Sequence, residues 1–332
     1  MAETIDWKPP EALPLIGQYD VVVAGGGMAG FGAACAAARR GARTVLVERQ
    51  AQLGGLGSVG GVGNFCYGHQ QFHGQGPIFD DVCAELEKLG AMGSANGWGS
   101  HYNEELKRGG HSFDHAMLPV ALQHVAERCA VELLLCTDVV GVRTEGANVR
   151  ELIVHNSSLL QALRGRVFID GTGEGILSQH AGARALPGDD GGHPDMIKPS
   201  LMIFLRQCPD APGQPVPDGY AAEWAANYSI WAEPRGRVGL KLKMYDRDFD
   251  TGTGPGRSRA EAAHRAIIPQ AVRHYQQAHA EDRVFDYAAP MLGVREGRRI
   301  EGDYVLTADD LRAGRRFADG VAFGLFTIDS HR

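Results

Sequence analysis

The sequence predicts an α/β fold: a three-layer domain around a central parallel sheet, followed by a second α+β domain. Three observations carry this reading. An apolar run at 21–24 ends in glycine, an alanine-rich helical stretch fills 28–40, and a second apolar run at 44–47 ends in a carboxylate. Short all-apolar runs are expected of parallel strands buried on both faces, and strand, helix, strand makes one βαβ unit.

Each element follows from local chemistry. Pro9, Pro10 and Pro14 predict an extended surface lead-in over 5–18, with the fold beginning near Tyr19. Gly25 ends the first strand, and Gly41 stops the helix before the strand at 44–47. Six glycines fall between positions 54 and 63, too many for a helix or strand interior, so the backbone there must bend sharply or approach something closely. The pattern predicts an amphipathic helix over 78–89 and an irregular excursion at about 90–113. A helix over 114–129, a strand over 131–136, a hairpin over 139–154 and an apolar strand over 164–170 complete the first domain, set at 1–190. Beyond it the chain turns rich in proline and glycine. The second domain, 191–332, is expected to hold a strand at 201–205 and one long helix over 259–280.

Composition narrows the function. The chain has 332 residues, and single cores stop growing at roughly 250–300 residues, which favours two domains. With 44% hydrophobic and 22% charged residues it is an ordinary globular chain with ample core. A formal charge of −7 disfavours a nucleic-acid partner or an anionic membrane surface. Cys35, Cys66, Cys83, Cys129, Cys136 and Cys208 form no CxxC pair, as expected of reduced, mostly buried thiols. No basic start with an apolar run opens the chain, so a cytoplasmic protein is expected.

Gly25-x-Gly27-x-x-Gly30 lies between the first strand and the helix. Gly25 permits the tight turn, Gly27 lets the backbone approach a diphosphate, and Gly30 lets the helix pack on the sheet. Met28 and Ala29 occupy the first helical turn, whose free N–H groups and positive dipole end suit phosphate. Glu48 ends the second strand 23 positions after Gly25, where a carboxylate accepts from ribose hydroxyls, and Arg49 follows it. This is a Rossmann-like dinucleotide site; Glu48 suits NAD and the adenosine half of FAD equally.

Residues 19–49, followed by Leu53-Gly54-Gly55, resemble the glutathione-reductase-like class of FAD proteins. The resemblance implies FAD as cofactor, with backbone contact at Gly54 and Gly55. Val167-Phe168-Ile169-Asp170-Gly171-Thr172-Gly173-Glu174-Gly175 resembles that class's apolar strand with an Ala-Thr-Gly turn, which implies that Asp170, Gly171, Thr172 and Gly173 line the cofactor. Gly171 stands where the class usually has alanine, a change that keeps the residue small. Thr137-Asp138-Val139 resembles the strand end whose valine backbone faces adenine. The run from Arg295 to Thr307 resembles a stretch of the broad FAD-dependent oxidoreductase family, extending to Asp329 and His331. Family members continue with a strand and a helix that cover the flavin, so the second domain is expected to be incomplete at its C-terminus.

Cys66, His69 and His73 follow the glycine-rich segment and are candidates for acid, base or thiol near the flavin ring; the plain reading is a small core residue and loop histidines. Arg298, with Arg295 and Arg299, suits a substrate carboxylate, though an ion-paired surface cluster explains it as well. Asp329 and His331 are a weaker proton-handling pair at the chain end. His101, His111 and His115 match no metal-binding spacing and are expected at the surface, so no metal is predicted. The expected function is transfer of a hydride or electron pair between a small organic substrate and FAD. The competing reading is a non-catalytic or truncated nucleotide-binding subunit of a flavoprotein. A homo-oligomer is compatible with either.

Overall fold

The computed structural model describes residues 12–65, 76–93, 111–186, 197–210, 212–218, 226–244, 249–279 and 282–321. Cys66, His69, His73, His101, Asp329 and His331 lie outside them. Along the chain come β1 (Leu15–Ala24), α1 (Met28–Arg39) and β2 (Thr44–Val47). Then follow β3 (Asn64–Phe65), α2 (Pro77–Lys88), β4 (His111–Ser112), α3 (Leu118–Arg128) and β5 (Glu132–Leu134). A meander of β6 (Asp138–Glu145), β7 (Asn148–Asn156) and β8 (Leu159–Asp170) leads into α4 (Ile176–His180) and β9 (Ala185–Leu186). Beyond these lie β10 (Ser200–Gln207), β11 (Tyr228–Ala232), β12 (Val238–Lys243), α5 (Gly254–Ala266) and α6 (Ile268–Ala278). The last described elements are β13 (Arg283–Ala288), β14 (Arg299–Ile300) and α7 (Ala308–Arg312).

The chain divides into two compact units, neither continuous in sequence: Met1–Ala51 with Ala126–Gly182, and Gln52–Val125 with Ala183–Arg332.

The first unit is built on a six-stranded sheet of order β5-β2-β1-β8-β7-β6. The four strands from β5 to β8 in that order are parallel, and β7 and β6 return antiparallel. Val22, Ala24, Val45 and Val47 are buried together with Leu152, Val154, Leu163 and Leu177, which is why the strands read as continuous apolar runs. The extended lead-in is shorter than the prolines imply. Residues 15–18 already pair with β8, and the Pro14 carbonyl accepts the Ala162 N–H at 2.9 Å, because a proline just before a strand needs no donor there. In the meander, the buried Glu151 accepts from Arg143 Nε at 2.7 Å and Arg164 Nε at 2.8 Å, pinning three adjacent strands.

The second unit holds an antiparallel sheet of order β11-β12-β10-β13. β10 is buried from Ser200 to Leu205 and packs with Leu240, Leu242, Ala260, Ala271, Val272 and Tyr275, so both its faces are covered. The single long helix expected over 259–280 is two helices, α5 and α6. Pro269, in the first turn of α6, has no N–H to donate and its ring would clash with the Arg265 carbonyl, so one continuous helix cannot form.

Candidate functional site

In the first unit, the crossing of β1, α1 and β8 is made by glycines in mutual contact. Gly25 takes φ +92°, and a Cβ on it would stand 2.5 Å from the Gly171 carbonyl oxygen. A Cβ on Gly30 would collide with the Gly25 carbonyl oxygen, and one on Gly171 would lie 2.7 Å from the Gly30 Cα. These three glycines are therefore demanded by backbone packing. Gly27 differs: its φ is an ordinary −66°, and a Cβ there would meet nothing within 4 Å. The space in front of it is open, and the exposed Met28 and Ala29 follow in a first turn that no side chain caps. Such a helix start presents unbonded N–H groups and the positive end of the dipole.

Glu48 faces this turn. Only 7% exposed, its carboxylate accepts the Gly26 N–H at 2.6 Å and the Gln50 N–H at 2.8 Å. An ionised carboxylate has about four acceptor positions, so two remain for the hydroxyls of a sugar. Thr137 donates its N–H to the Glu48 carbonyl at 3.0 Å, which sets Val139, at the start of β6, two residues from the strand end that carries Glu48. Arg49 is exposed beside it.

At the end of β8, Asp170 organises the turn after it. Its carboxylate accepts from the Thr172 N–H and hydroxyl and from the Ser178 N–H and hydroxyl at 2.7 to 3.0 Å. Burial alone would raise its pKa, but the Ser178 and Thr172 hydrogen bonds outweigh that and hold it below the usual carboxylate range. Thus Asp170 shapes the Gly171-Thr172-Gly173 turn through four bonds inside the unit.

In the second unit the glycine-rich segment is held by its own neighbours. Gly54 has φ +108° beside Ser58 and Leu118, a Cβ on Gly61 would stand 2.8 Å from the Phe204 ring, and one on Gly63 would stand 2.8 Å from Glu233 Oε1. Gly55, at φ +53°, opens a short 3-10 turn. Arg295, Arg298 and Arg299 are exposed around β14.

The same unit contains a polar cluster that sequence reading missed. His115, expected at the surface, is 3% exposed and stacks on Phe204 with ring centroids 4.2 Å apart. Its Nδ1 lies 2.9 Å from Glu233 Oε2, and its Nε2 is hydrogen-bonded to Tyr287 Oη. A histidine between a glycine-rich loop and a helix carries no local mark of burial; its partners stand 118 and 172 positions away.

A parallel sheet whose first crossover turns on glycines, with open space at Gly27 and a carboxylate facing the turn, defines a dinucleotide-binding α/β protein. The model of the FAD dependent oxidoreductase family matches residues 20–332, and the chain belongs to that family. Among curated proteins, it is 29% identical over 157 residues to the tRNA uridine 5-carboxymethylaminomethyl modification enzyme MnmG of Campylobacter hominis, covering 44% of this chain and 24% of that protein. It is 37% identical over 83 residues to dihydrolipoyl dehydrogenase of Trypanosoma brucei brucei, covering 25% of this chain and 16% of that one. These matches span a quarter or less of the relatives' length. Among solved structures, a geranylgeranyl bacteriochlorophyll reductase-like protein from Thermoplasma acidophilum superposes with a TM-score of 0.54 at 15% identity, covering 83% of this chain and 66% of that one. The chondrochloren halogenase CndH, described as a variant of FAD-dependent halogenases, gives 0.51 at 16% identity, covering 85% of this chain and 64% of its own. At such identity these likenesses concern the fold. No helix among the described residues is long and apolar enough to cross a membrane.

Proposed function

We propose that this chain is an FAD-dependent oxidoreductase of the glutathione-reductase-like type, acting in the cytoplasm on a small organic molecule. The observation that carries the reading is the open space at Gly27, a glycine that internal packing does not demand, next to Gly26, whose N–H is held by Glu48. In this reading the backbone of Gly25, Gly27, Met28, Ala29 and Gly30 holds the diphosphate, Glu48 with Arg49 holds the ribose, and the Val139 backbone lies at the adenine. Gly171, Thr172 and Gly173 line the cofactor on the turn that Asp170 fixes, and the resemblance assigns Gly54 and Gly55 backbone contact with FAD. Bound FAD supplies two-electron redox chemistry; the protein binds, orients and sets the local electrostatics. Residues 191–332 are read as the substrate part, with Arg298 as the candidate for an anionic group, and Cys66, His69 and His73 are the candidates for proton or thiol chemistry near the flavin.

The test is anaerobic mixing of the FAD-loaded protein with a panel of small alcohols, amines, hydroxy acids and amino acids. The reading predicts bleaching of the flavin absorption by at least one class of two-electron donor. A protein that takes up no FAD contradicts it.

A further inference from the structure

The row Glu233, His115, Tyr287 lies wholly within the second unit, so its geometry is set by that unit alone. The Glu233 carboxylate takes the His115 Nδ1 hydrogen, with its two oxygens 3.2 and 2.9 Å from Nδ1. With that tautomer Nε2 accepts, and the Tyr287 hydroxyl donates to it. The rings are held in place: His115 stacks on Phe204, and Phe204 on Tyr287 at 4.7 Å. Phe204 and Tyr287 are partners across β10 and β13, so the sheet register itself sets the spacing.

A hydroxyl on an imidazole that a carboxylate steadies is the order nucleophile, base, orienting group. The His115 and Glu233 side chains are only 4% and 2% exposed. Two such groups taken out of water are expensive to keep for packing alone. Tyr287 is only partly buried, so the row runs outward from a buried carboxylate to a side chain that solvent reaches in part.

The charged groups around the row come from every neighbouring element. Asp114 precedes His115, and Asp286 precedes Tyr287. Arg237 stands 3.9 Å from Asp114 and 3.6 Å from Asp286, and Arg206 stands 3.8 Å from Asp286. The Arg237 guanidinium carbon is 5.8 Å from the Tyr287 ring centroid. A cation so placed favours negative charge as it develops on the phenol oxygen.

We infer that Tyr287 is an activated tyrosine, the nucleophile of a Tyr-His-Glu triad that takes an acyl group from a small, reactive acyl donor. The Tyr287 O–H bond breaks and its proton passes to His115 Nε2 as a bond forms from Oη to the acyl carbon. The bond from that carbon to its leaving group breaks, and the imidazolium, paired with Glu233, returns the proton to the departing group. The product is an aryl ester on Tyr287. No electrons are exchanged, so the step needs no redox cofactor and stands or falls apart from the FAD-dependent reading. Tyr287 is the group that meets the acyl donor; His115 and Glu233 act through it.

The same unit supplies a reference. Tyr304 is 49% exposed and donates its hydroxyl to Asp310 at 2.6 Å, a bond that raises its pKa. The test is acetylation of the full chain with N-acetylimidazole from about pH 7 to 9, each tyrosine being followed by peptide mass spectrometry, in the wild type and in His115→Gln and Glu233→Gln. Tyr287 is expected to react at least about tenfold faster than Tyr304 at pH 7. Its rate should change little across the range, because its base is internal, whereas that of Tyr304 climbs with pH. In His115→Gln the Tyr287 rate is expected to fall at least about tenfold with the Tyr304 rate unchanged. Glu233→Gln still accepts the Nδ1 hydrogen but no longer stabilises the imidazolium, so it keeps the fold and lowers the Tyr287 rate by a smaller factor. A hydroxyl held for structure alone is freed when its partner is removed. Labelling of Tyr287 that is no faster than that of Tyr304, or that stays the same or rises in either variant, therefore overturns the triad.

Discussion

Glu48 Oε2 accepts the backbone N–H of Gly26 at 2.6 Å. The bond joins the end of β2 to the turn between β1 and α1, so the carboxylate is placed by the same residues that shape the turn. Replacing Glu48 by alanine removes an acceptor from the buried Gly26 N–H and from Gln50. An unsatisfied buried donor costs about 1–3 kcal/mol. Chemical denaturation is expected to show that loss in Glu48→Ala, while Glu48→Gln, which keeps an acceptor oxygen, stays closer to wild type and loses chiefly FAD affinity in a fluorescence titration.

The glycines of the turn separate into two kinds, and substitution distinguishes them. Gly27→Ala meets open space at an ordinary φ, so its stability is expected to change by no more than about 1 kcal/mol. Its FAD affinity is expected to fall about tenfold to a hundredfold, each tenfold step being about 1.4 kcal/mol. Gly30→Ala drives a Cβ into the Gly25 carbonyl and should not yield folded protein. The check is circular dichroism alongside FAD binding.

Gly171 gives a third prediction. The class it resembles carries alanine there, yet a Cβ would stand 2.7 Å from the Gly30 Cα and 3.2 Å from the Ala24 carbonyl oxygen. Overpacking of this kind costs about 1–3 kcal/mol. Gly171→Ala is therefore expected to lower the urea midpoint, despite matching the family's usual residue.

The pH dependence of stability has a defined carrier in the meander. The Arg143 hydrogen bond, joined by that of Arg164, holds the Glu151 carboxyl below its ordinary 4.5. A lowered folded-state value means that the stabilisation is complete above 4.5 and is lost as pH falls through the lower value. Glu151→Gln is expected to be less stable at neutral pH and to show a flatter acid limb, read from urea midpoints across pH.

How much of this was legible in the residues depends on how local the cause is. The β1, α1, β2 unit and its glycines are readable, since turn, helix and strand lie within thirty or so consecutive positions and the glycines fall at a fixed spacing between strand and helix. The break between α5 and α6 is also written in the chain, at Pro269, where the missing N–H and the ring forbid a continuous helix through a stretch otherwise rich in alanine, arginine and glutamine. The start of β1 at Leu15 was hidden, because those residues become a strand only by pairing with the twelve-residue β8. His115 was misplaced at the surface for a similar reason: its burial depends on Phe204, Glu233 and Tyr287, which antiparallel pairing brings together from distant positions.

The most direct measurement is the visible absorption spectrum of the purified full chain, before and after adding FAD and removing the excess. The account predicts flavin bands that stay with the protein and that are weakened in Gly27→Ala at unchanged fold. A colourless protein that retains no FAD contradicts it.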